Sequence, residues 1–94
     1  MPYVLIQHQV KDYSMFEEVF LDDGERRRRS GCKGGRLFRN VDDPGNLMAL
    51  FEWDDVERAK QFAEGLELHE AVEWATAGTT YTATVLEDAL EVEA

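Results

Sequence analysis

Apolar side chains change their spacing along this chain, from the two-residue period of a strand to the spacing of a helix and back. Residues 3–10 are rich in β-formers, and Val4 and Ile6 fall on one face of the predicted strand. His8 continues that face, while Leu5 lies on the other. Because both faces carry apolar residues, we expect both sides of this strand to be covered.

A helical stripe follows the first strand. Asp12 or Ser14 offers a side-chain cap, and apolar positions then recur three or four residues apart. These positions are Tyr13, Phe16, Val19 and Phe20. The stripe fades after Phe20, where Gly24 weakens the helix, and Gly31 is a suitable left-handed stop.

A hairpin is predicted next, from strands over residues 36–41 and 47–53. The sequence Asp-Asp-Pro-Gly-Asn at 42–46 separates them. Pro44 pre-sets one backbone angle of a turn, and Gly45 and Asn46 tolerate positive φ. This local chemistry predicts a tight connection between two antiparallel strands.

A second helix is predicted to begin at Asp54, with Glu57 completing a capping box. Its buried positions should be Val56, Ala59, Phe62, Ala63 and Leu66. Gly65 is expected to bend or break it, with further helical turns over 67–75. A last strand is predicted over 79–86.

The resulting order, β-α-β-β-α-β, gives an α+β protein with a four-stranded antiparallel sheet and both helices on one face. Residues 1–87 form one predicted domain, and residues 88–94 form an acidic tail. The other face of the sheet carries Leu5 and apolar residues of the hairpin, too many to be left exposed to water. We therefore expect a homodimer that pairs sheet face to sheet face.

The net charge and the cysteine content limit the kinds of molecule that this protein can bind and the compartment in which it works. A formal charge of −10 over 94 residues argues against non-specific binding to nucleic acid or to an anionic membrane. Cys32 is the single cysteine, so no disulfide can form within the chain, and no apolar run approaches the roughly 20 residues of a membrane span. We expect a cytoplasmic protein.

Four segments carry a family resemblance: KDYSMFEEVF, SGCKGGRLFRNVDDPGN, LFEWDDVERAKQFAE and LHEAVEWATAGTTYTATVLED. They resemble the small cyclase-like members of the antibiotic biosynthesis monooxygenase superfamily, the dimeric α/β-barrel proteins. The resemblance implies a ferredoxin-like subunit that dimerises through its sheet, with a pocket between helices and sheet. It implies chemistries such as cofactor-free oxygenation of polyphenolic or anthrone-type rings, quinol oxidation and haem degradation. Many such proteins have no assigned activity.

Haem degradation is disfavoured by the residues themselves. Haem-degrading members use an asparagine on the first strand, a tryptophan on the second helix and a histidine further along. Phe62 and Val72 fall at the last two positions here, and His69 lies one turn away on a different face. We therefore expect no cofactor.

His8 is the candidate catalytic base, because an imidazole titrates near neutrality and can take a phenolic or enolic proton. The alternative, a buried histidine hydrogen-bonded to its neighbours, is the more common situation. No second ligand accompanies His8 in sequence, so no metal site is predicted.

Arg36 and Phe38 share one face of the second strand. Arg36 is a candidate contact for an anionic substrate oxygen, the alternative being an ion pair with a carboxylate of the dimer mate. Phe38, Tyr13 and Trp74 could enclose an aromatic substrate, although aromatic residues of small domains usually fill the core. The run at 26–29, four arginines, is interpreted as a solvated helix end, with an anion contact from one member as the lesser alternative.

Three functions are compatible with these residues. The first is a cofactor-independent monooxygenase-like enzyme acting on a small aromatic or enolisable ligand. The second is a non-catalytic dimeric protein that binds a ligand in the same pocket, and the third is a structural module with a filled core. An open cavity beside His8 would distinguish the first two from the third.

Overall fold

Four strands form one antiparallel sheet in the computed structural model, which describes residues 1–10, 13–65 and 81–93. The strands are β1 (Tyr3–Gln9), β2 (Cys32–Arg39), β3 (Asn46–Trp53) and β4 (Tyr81–Leu86), and the described helices are α1 (Tyr13–Asp22), α2 (Gly24–Ser30) and α3 (Val56–Glu64). The strand order is β2-β3-β1-β4, with every neighbouring pair antiparallel. The α+β, ferredoxin-like architecture with a four-stranded antiparallel sheet is thereby confirmed.

The first predicted helix consists of two helices. α1 ends at Asp22 and α2 begins at Gly24, where the sequence pattern weakened. Between them, the Asp23 carboxylate accepts a hydrogen bond of 2.7 Å from Nε of Arg26. α2 ends at Ser30 and is capped by Gly31, whose φ of 119° is left-handed and whose N–H donates to the Arg28 carbonyl oxygen at 3.1 Å. The predicted stop at Gly31 is confirmed.

The predicted hairpin is present as β2 and β3. Gly45, in its turn, is required by close packing rather than by positive φ. The N–H of Asn46 donates to the carbonyl oxygen of Asp43 at 3.0 Å, which puts Pro44 and Gly45 at the centre of the turn. The positive-φ glycines of the described chain are Gly31 and Gly34, so the turn does not use the tolerance of Gly45 for positive φ. A Cβ at Gly45 would lie 2.6 Å from the Val10 carbonyl oxygen, so close approach is what requires glycine.

The cap of α3 lies one residue later than predicted. Asp55, rather than Asp54, accepts a hydrogen bond from the N–H of Glu57 at 3.1 Å. The backbone N–H of Asp54 is still bound to the Gly31 carbonyl oxygen, so the chain leaves the sheet only after it. Val56 is consequently exposed rather than buried.

The break expected at Gly65 is confirmed, since α3 ends at Glu64 and Gly65 is extended. Leu66, the turns predicted over 67–75 and the first residues of the predicted last strand lie outside the described residues. No helix in the described part of the chain is long and apolar enough to cross a membrane.

The core lies between the helices and one face of the sheet. β3 contributes every second residue, from Leu47 to Trp53, and α3 contributes Ala59. A smaller cluster at the other end joins Val10 and Phe16 to Leu47. The opposite side of the sheet, here named the open face, carries apolar side chains that are half-buried or exposed. Its apolar members are Tyr3, Leu5, Phe38, Met48, Leu50 and Leu86.

Candidate functional site

His8 lies on β1, on the helix-facing side that the alternation with Val4 and Ile6 predicts. Its side chain is 5% exposed, and its ring centroid is 4.7 Å from that of Phe16. Neither Nδ1 nor Nε2 has a hydrogen-bond partner within residues 1–10, 13–65 and 81–93. Among the described residues, the imidazole is thus buried against an aromatic ring with neither nitrogen hydrogen-bonded.

Burial lowers the pKa of His8 below its ordinary value of 6.5. The imidazole is therefore neutral at pH 7, and one of its nitrogens has a free lone pair. An unpaired buried polar group costs about 1–3 kcal/mol, so a ligand that bonds to this nitrogen would recover part of that cost. His8 is therefore a neutral base whose free nitrogen can accept a proton from a bound molecule.

Tyr13 belongs to the same aromatic neighbourhood. Tyr13 packs against the cluster of Val10, Phe16 and Leu47. Because the Phe16 ring also contacts His8, Phe16 lies in contact with both neighbourhoods. The Arg39 guanidinium lies 4.9 Å from the centre of the Tyr13 ring. Desolvation, with a smaller effect of Glu17, raises the pKa of the Tyr13 phenol, so the hydroxyl stays protonated near neutrality and is a donor.

Arg36 and Phe38 do not join this neighbourhood within one chain. Their cross-strand partners on β3 are Leu50 and Met48, which places both on the open face. Leu37, between them, packs into the core on the side of His8. The sheet therefore separates the two residues from the imidazole. Trp74, the remaining candidate, lies outside the described residues.

A β-bulge decides which side Arg36 and Phe38 occupy. Cys32 pairs with Trp53 and is buried in the core, and the register shifts before Gly34 pairs with Glu52. An uninterrupted alternation from Cys32 would have turned Arg36 and Phe38 toward the helices. The extra residue, Lys33, reverses that orientation.

The burial of Arg27 was not predicted from the sequence. Its side chain is only 11% exposed, and its guanidinium lies 4.4 Å from the Phe20 ring centre and 4.9 Å from that of Phe51. The interpretation of the arginine run as a solvated helix end is therefore wrong for Arg27 and right for Arg28 and Arg29, which are exposed. The sequence offered one weak indication of this burial. Arg27 follows Phe20 by seven residues, which is a helical spacing, but the break between α1 and α2 lies between them.

Metal-binding side chains do not cluster in the described part of the chain, where no group of three or more histidine, cysteine or acidic residues could hold an ion. Cys32 is buried and makes a weak contact of 3.6 Å from its Sγ to the Gly34 carbonyl oxygen. Its setting is that of a packed core residue.

The sheet and its helices define an α+β protein of ferredoxin-like fold. No protein-family model matches the chain, and no curated protein matches it. Solved structures do. SnoaB, a cofactor-independent oxygenase from Streptomyces nogalater, is 15% identical with a TM-score of 0.74, over 97% of this chain and 94% of that one.

Two bacterial proteins described as candidate antibiotic biosynthesis monooxygenases are also similar. The one from Bordetella bronchiseptica is 16% identical with a TM-score of 0.76, covering 95% of this chain and 97% of its own. The one from Caulobacter crescentus is 23% identical with a TM-score of 0.69, covering 96% and 90%. This chain therefore shares the ferredoxin-like fold of these proteins, which its sequence resemblance implied. At these identities the likeness shows the fold, and activity has to be argued from the site.

Proposed function

We propose that this protein is a homodimeric, cofactor-independent oxygenase-like enzyme that acts on a small aromatic or enolisable substrate in the cytoplasm. The observation that carries the proposal is His8, a buried imidazole beside an aromatic ring, whose two nitrogens have no hydrogen-bond partner in the described part of the chain. Its lowered pKa keeps it neutral, so it is competent as a base at physiological pH. The similarity of fold to SnoaB, itself an oxygenase without cofactor, supports the class of reaction.

The reaction without a cofactor requires a substrate that supplies all the electrons. His8 would remove a proton from a phenol or an activated methylene, leaving an electron-rich anion that reacts with O₂. For a methylene the balance is R₂CH₂ + O₂ → R₂C=O + H₂O. Four electrons leave the carbon, one oxygen atom enters the product and the other leaves as water, so no reductant is needed.

The residues around His8 suit an aromatic substrate. Phe16 provides a ring face, and Tyr13 provides a ring with a protonated hydroxyl. We keep Trp74 in the proposal as a residue that encloses the substrate. Arg36 and Phe38 are assigned differently, to the dimer interface, because they lie on the open face. Arg36 would there contact a carboxylate of the second copy.

The dimer is proposed from the open face itself. An apolar sheet surface of this kind is usually covered by a partner, and a second copy presents a matching surface across a two-fold axis. Leu5 and Leu50 are cross-strand neighbours at its centre, and both are only half-buried in one chain.

His8→Gln is expected to lower kcat/KM for oxidation of 1,8-dihydroxyanthrone by about 10²–10⁴-fold, the usual contribution of a positioned base. Glutamine keeps a polar side chain in the same place but cannot accept the proton. The measurement is oxygen uptake, corrected for spontaneous oxidation in buffer.

His69→Gln, the same change at the other histidine, is the matched control and should keep wild-type turnover. Equal rates for His8→Gln and the wild type would refute the role of His8. Binding of the anthrone by a wild type that consumes oxygen no faster than buffer would instead favour the non-catalytic ligand-binding protein.

A further inference from the structure

A cleft of about 800 Å³ lies beside α2, where the helix meets β2 at the edge of the sheet. Of the ten lysine and arginine residues in the whole chain, six line it, and Asp54 is the one acidic residue among its described lining. The six are Arg27, Arg28, Arg29, Lys33, Arg36 and Arg58. In a protein with a formal charge of −10, this is a marked local reversal of sign.

Arg27 forms the innermost charge of the cleft, over the Phe20 and Phe51 rings. Its nearest carboxylate oxygen, on Asp23, is 3.6 Å from Nη1, which is longer than a hydrogen bond. Burial is the main influence on its pKa, which is lowered despite Asp23. The guanidinium is therefore partly desolvated, and an anion in the cleft would pair with it more closely than Asp23 does.

The rim supplies further charge that the described protein does not neutralise. Arg28, Arg29, Lys33 and Arg36 form no ion pair with any residue of the described ranges. Arg58 is already engaged, donating to the Asp54 carboxylate at 2.8 Å and to the Arg29 carbonyl oxygen at 3.0 Å. Arg28, Arg29 and Lys33 therefore remain available around Arg27, whereas Arg36 is assigned to the proposed dimer interface.

The wall along β2 leaves room for a ligand. Gly34 and Gly35 line the cleft without side chains, and the space where a Cβ of Gly34 would stand is open to 4 Å. Apolar surface from Phe20, Leu37 and Phe51 lies beneath the charges. The volume falls in the range of small-molecule sites, roughly 300–1,000 Å³.

We propose that this cleft binds a small organic phosphate, with the phosphoryl group on Arg27 and the rim cations and the apolar part of the molecule against Phe20, Leu37 and Phe51. A planar guanidinium fork suits the paired oxygens of a phosphoryl group, and a dianion matches the excess of positive charge. A long nucleic acid is disfavoured because the acidic remainder of the surface would repel its flanking phosphates.

The cleft is a site separate from His8. Phe16 contacts His8, and Phe20 stands behind Phe16 with its ring centroid 5.5 Å away, so the aromatic core lies between the imidazole and Arg27. The inference therefore does not depend on the proposed oxygenase. His8→Gln should leave phosphate binding unchanged.

Phenyl phosphate, titrated calorimetrically into the full chain, is expected to bind saturably at one site per chain. Arg27→Met keeps an apolar side chain over the Phe20 and Phe51 rings and removes the guanidinium, so the Kd for phenyl phosphate should rise at least tenfold. Arg39→Met is the matched control, because Arg39 also stacks on an aromatic ring but does not line the cleft. It should leave Kd unchanged. If Arg27→Met fails to fold, Arg28→Met at the rim should raise Kd severalfold.

Three results would overturn the inference. One is the absence of saturable phenyl phosphate binding up to 10 mM, on the order of ten times the ~1 mM Kd of a weak site. Another is an equal loss of affinity for phenyl phosphate in Arg27→Met and Arg39→Met, which would indicate only non-specific electrostatic attraction to the protein. The third is a sign that the occupant is a macromolecule, given either by tighter binding of a single-stranded 20-mer oligonucleotide than of phenyl phosphate or by a change of oligomeric mass in Arg27→Met.

Discussion

Trp53→Ala is expected to lower the free energy of unfolding by about 3–5 kcal/mol, the usual cost of deleting a buried large aromatic side chain. The Trp53 side chain is fully buried, with 0% exposure. Its ring centroid lies 4.8 Å from that of Phe62 on α3, and it belongs to the cluster that includes Cys32 and Ala59. Alanine would leave a cavity where three elements meet. Urea denaturation followed by circular dichroism measures the change.

Trp53→Phe provides a second measurement at the same position. The indole Nε1 is buried and has no hydrogen-bond partner in the described structure. Phenylalanine therefore removes an unsatisfied donor as well as volume, and it should cost clearly less than alanine. Val41→Ala, at a turn position that is 94% exposed, should change stability by no more than about 0.5 kcal/mol. A loss below about 1 kcal/mol for Trp53→Ala would contradict the described core.

Leu50→Lys is expected to convert a dimer into a monomer. Leu50 lies at the centre of the open face, paired with Leu5 on one side and Arg36 on the other. A lysine there would bury an unpaired charge between two sheets and stand beside an arginine, so the dimer Kd should rise at least 100-fold. Light scattering after size exclusion should report the 10.8 kDa of one chain in place of twice that mass.

The control for this experiment is the same lysine at an exposed position. Val41→Lys should leave the mass of the dimer unchanged, since Val41 lies in the exposed connection after β2. Both variants should keep the circular dichroism of the wild type, because Leu50 does not belong to the helix-facing core. A wild type that is monomeric at micromolar concentration would contradict the proposed pairing.

The features that local chemistry determines were predictable from sequence. The turn around Pro44 and the left-handed stop at Gly31 depend on backbone preferences of those residues, and both are present. The side of β1 that holds His8 follows from simple alternation with Val4 and Ile6.

The features that could not be predicted from the sequence depend on contacts between elements that are distant along the chain. The cap of α3 moved to Asp55 because the backbone of Asp54 pairs with Gly31. The orientation of Arg36 depends on a bulge that forms only when β2 pairs with β3. The burial of Arg27 depends on Phe51, a residue of β3 far along the chain. Periodicity carries no information on such pairings.

The proposed activity depends on His8 as a neutral base that takes a proton from its ligand. The direct measurement is the ¹⁵N NMR titration of the imidazole, assigned with the His69→Gln variant and repeated with 1,8-dihydroxyanthrone without oxygen. Because burial lowers the pKa of His8, the free protein should hold it neutral at pH 7 and protonate it only below 6.5. The activity should accordingly fall only as the pH drops through that lowered pKa.

With the anthrone bound at pH 7, we expect the two nitrogen resonances of His8 to move together to imidazolium values, reporting the transferred proton. A pKa at or above 6.5 in the free protein, with resonances that the anthrone leaves in place, would contradict this role of His8.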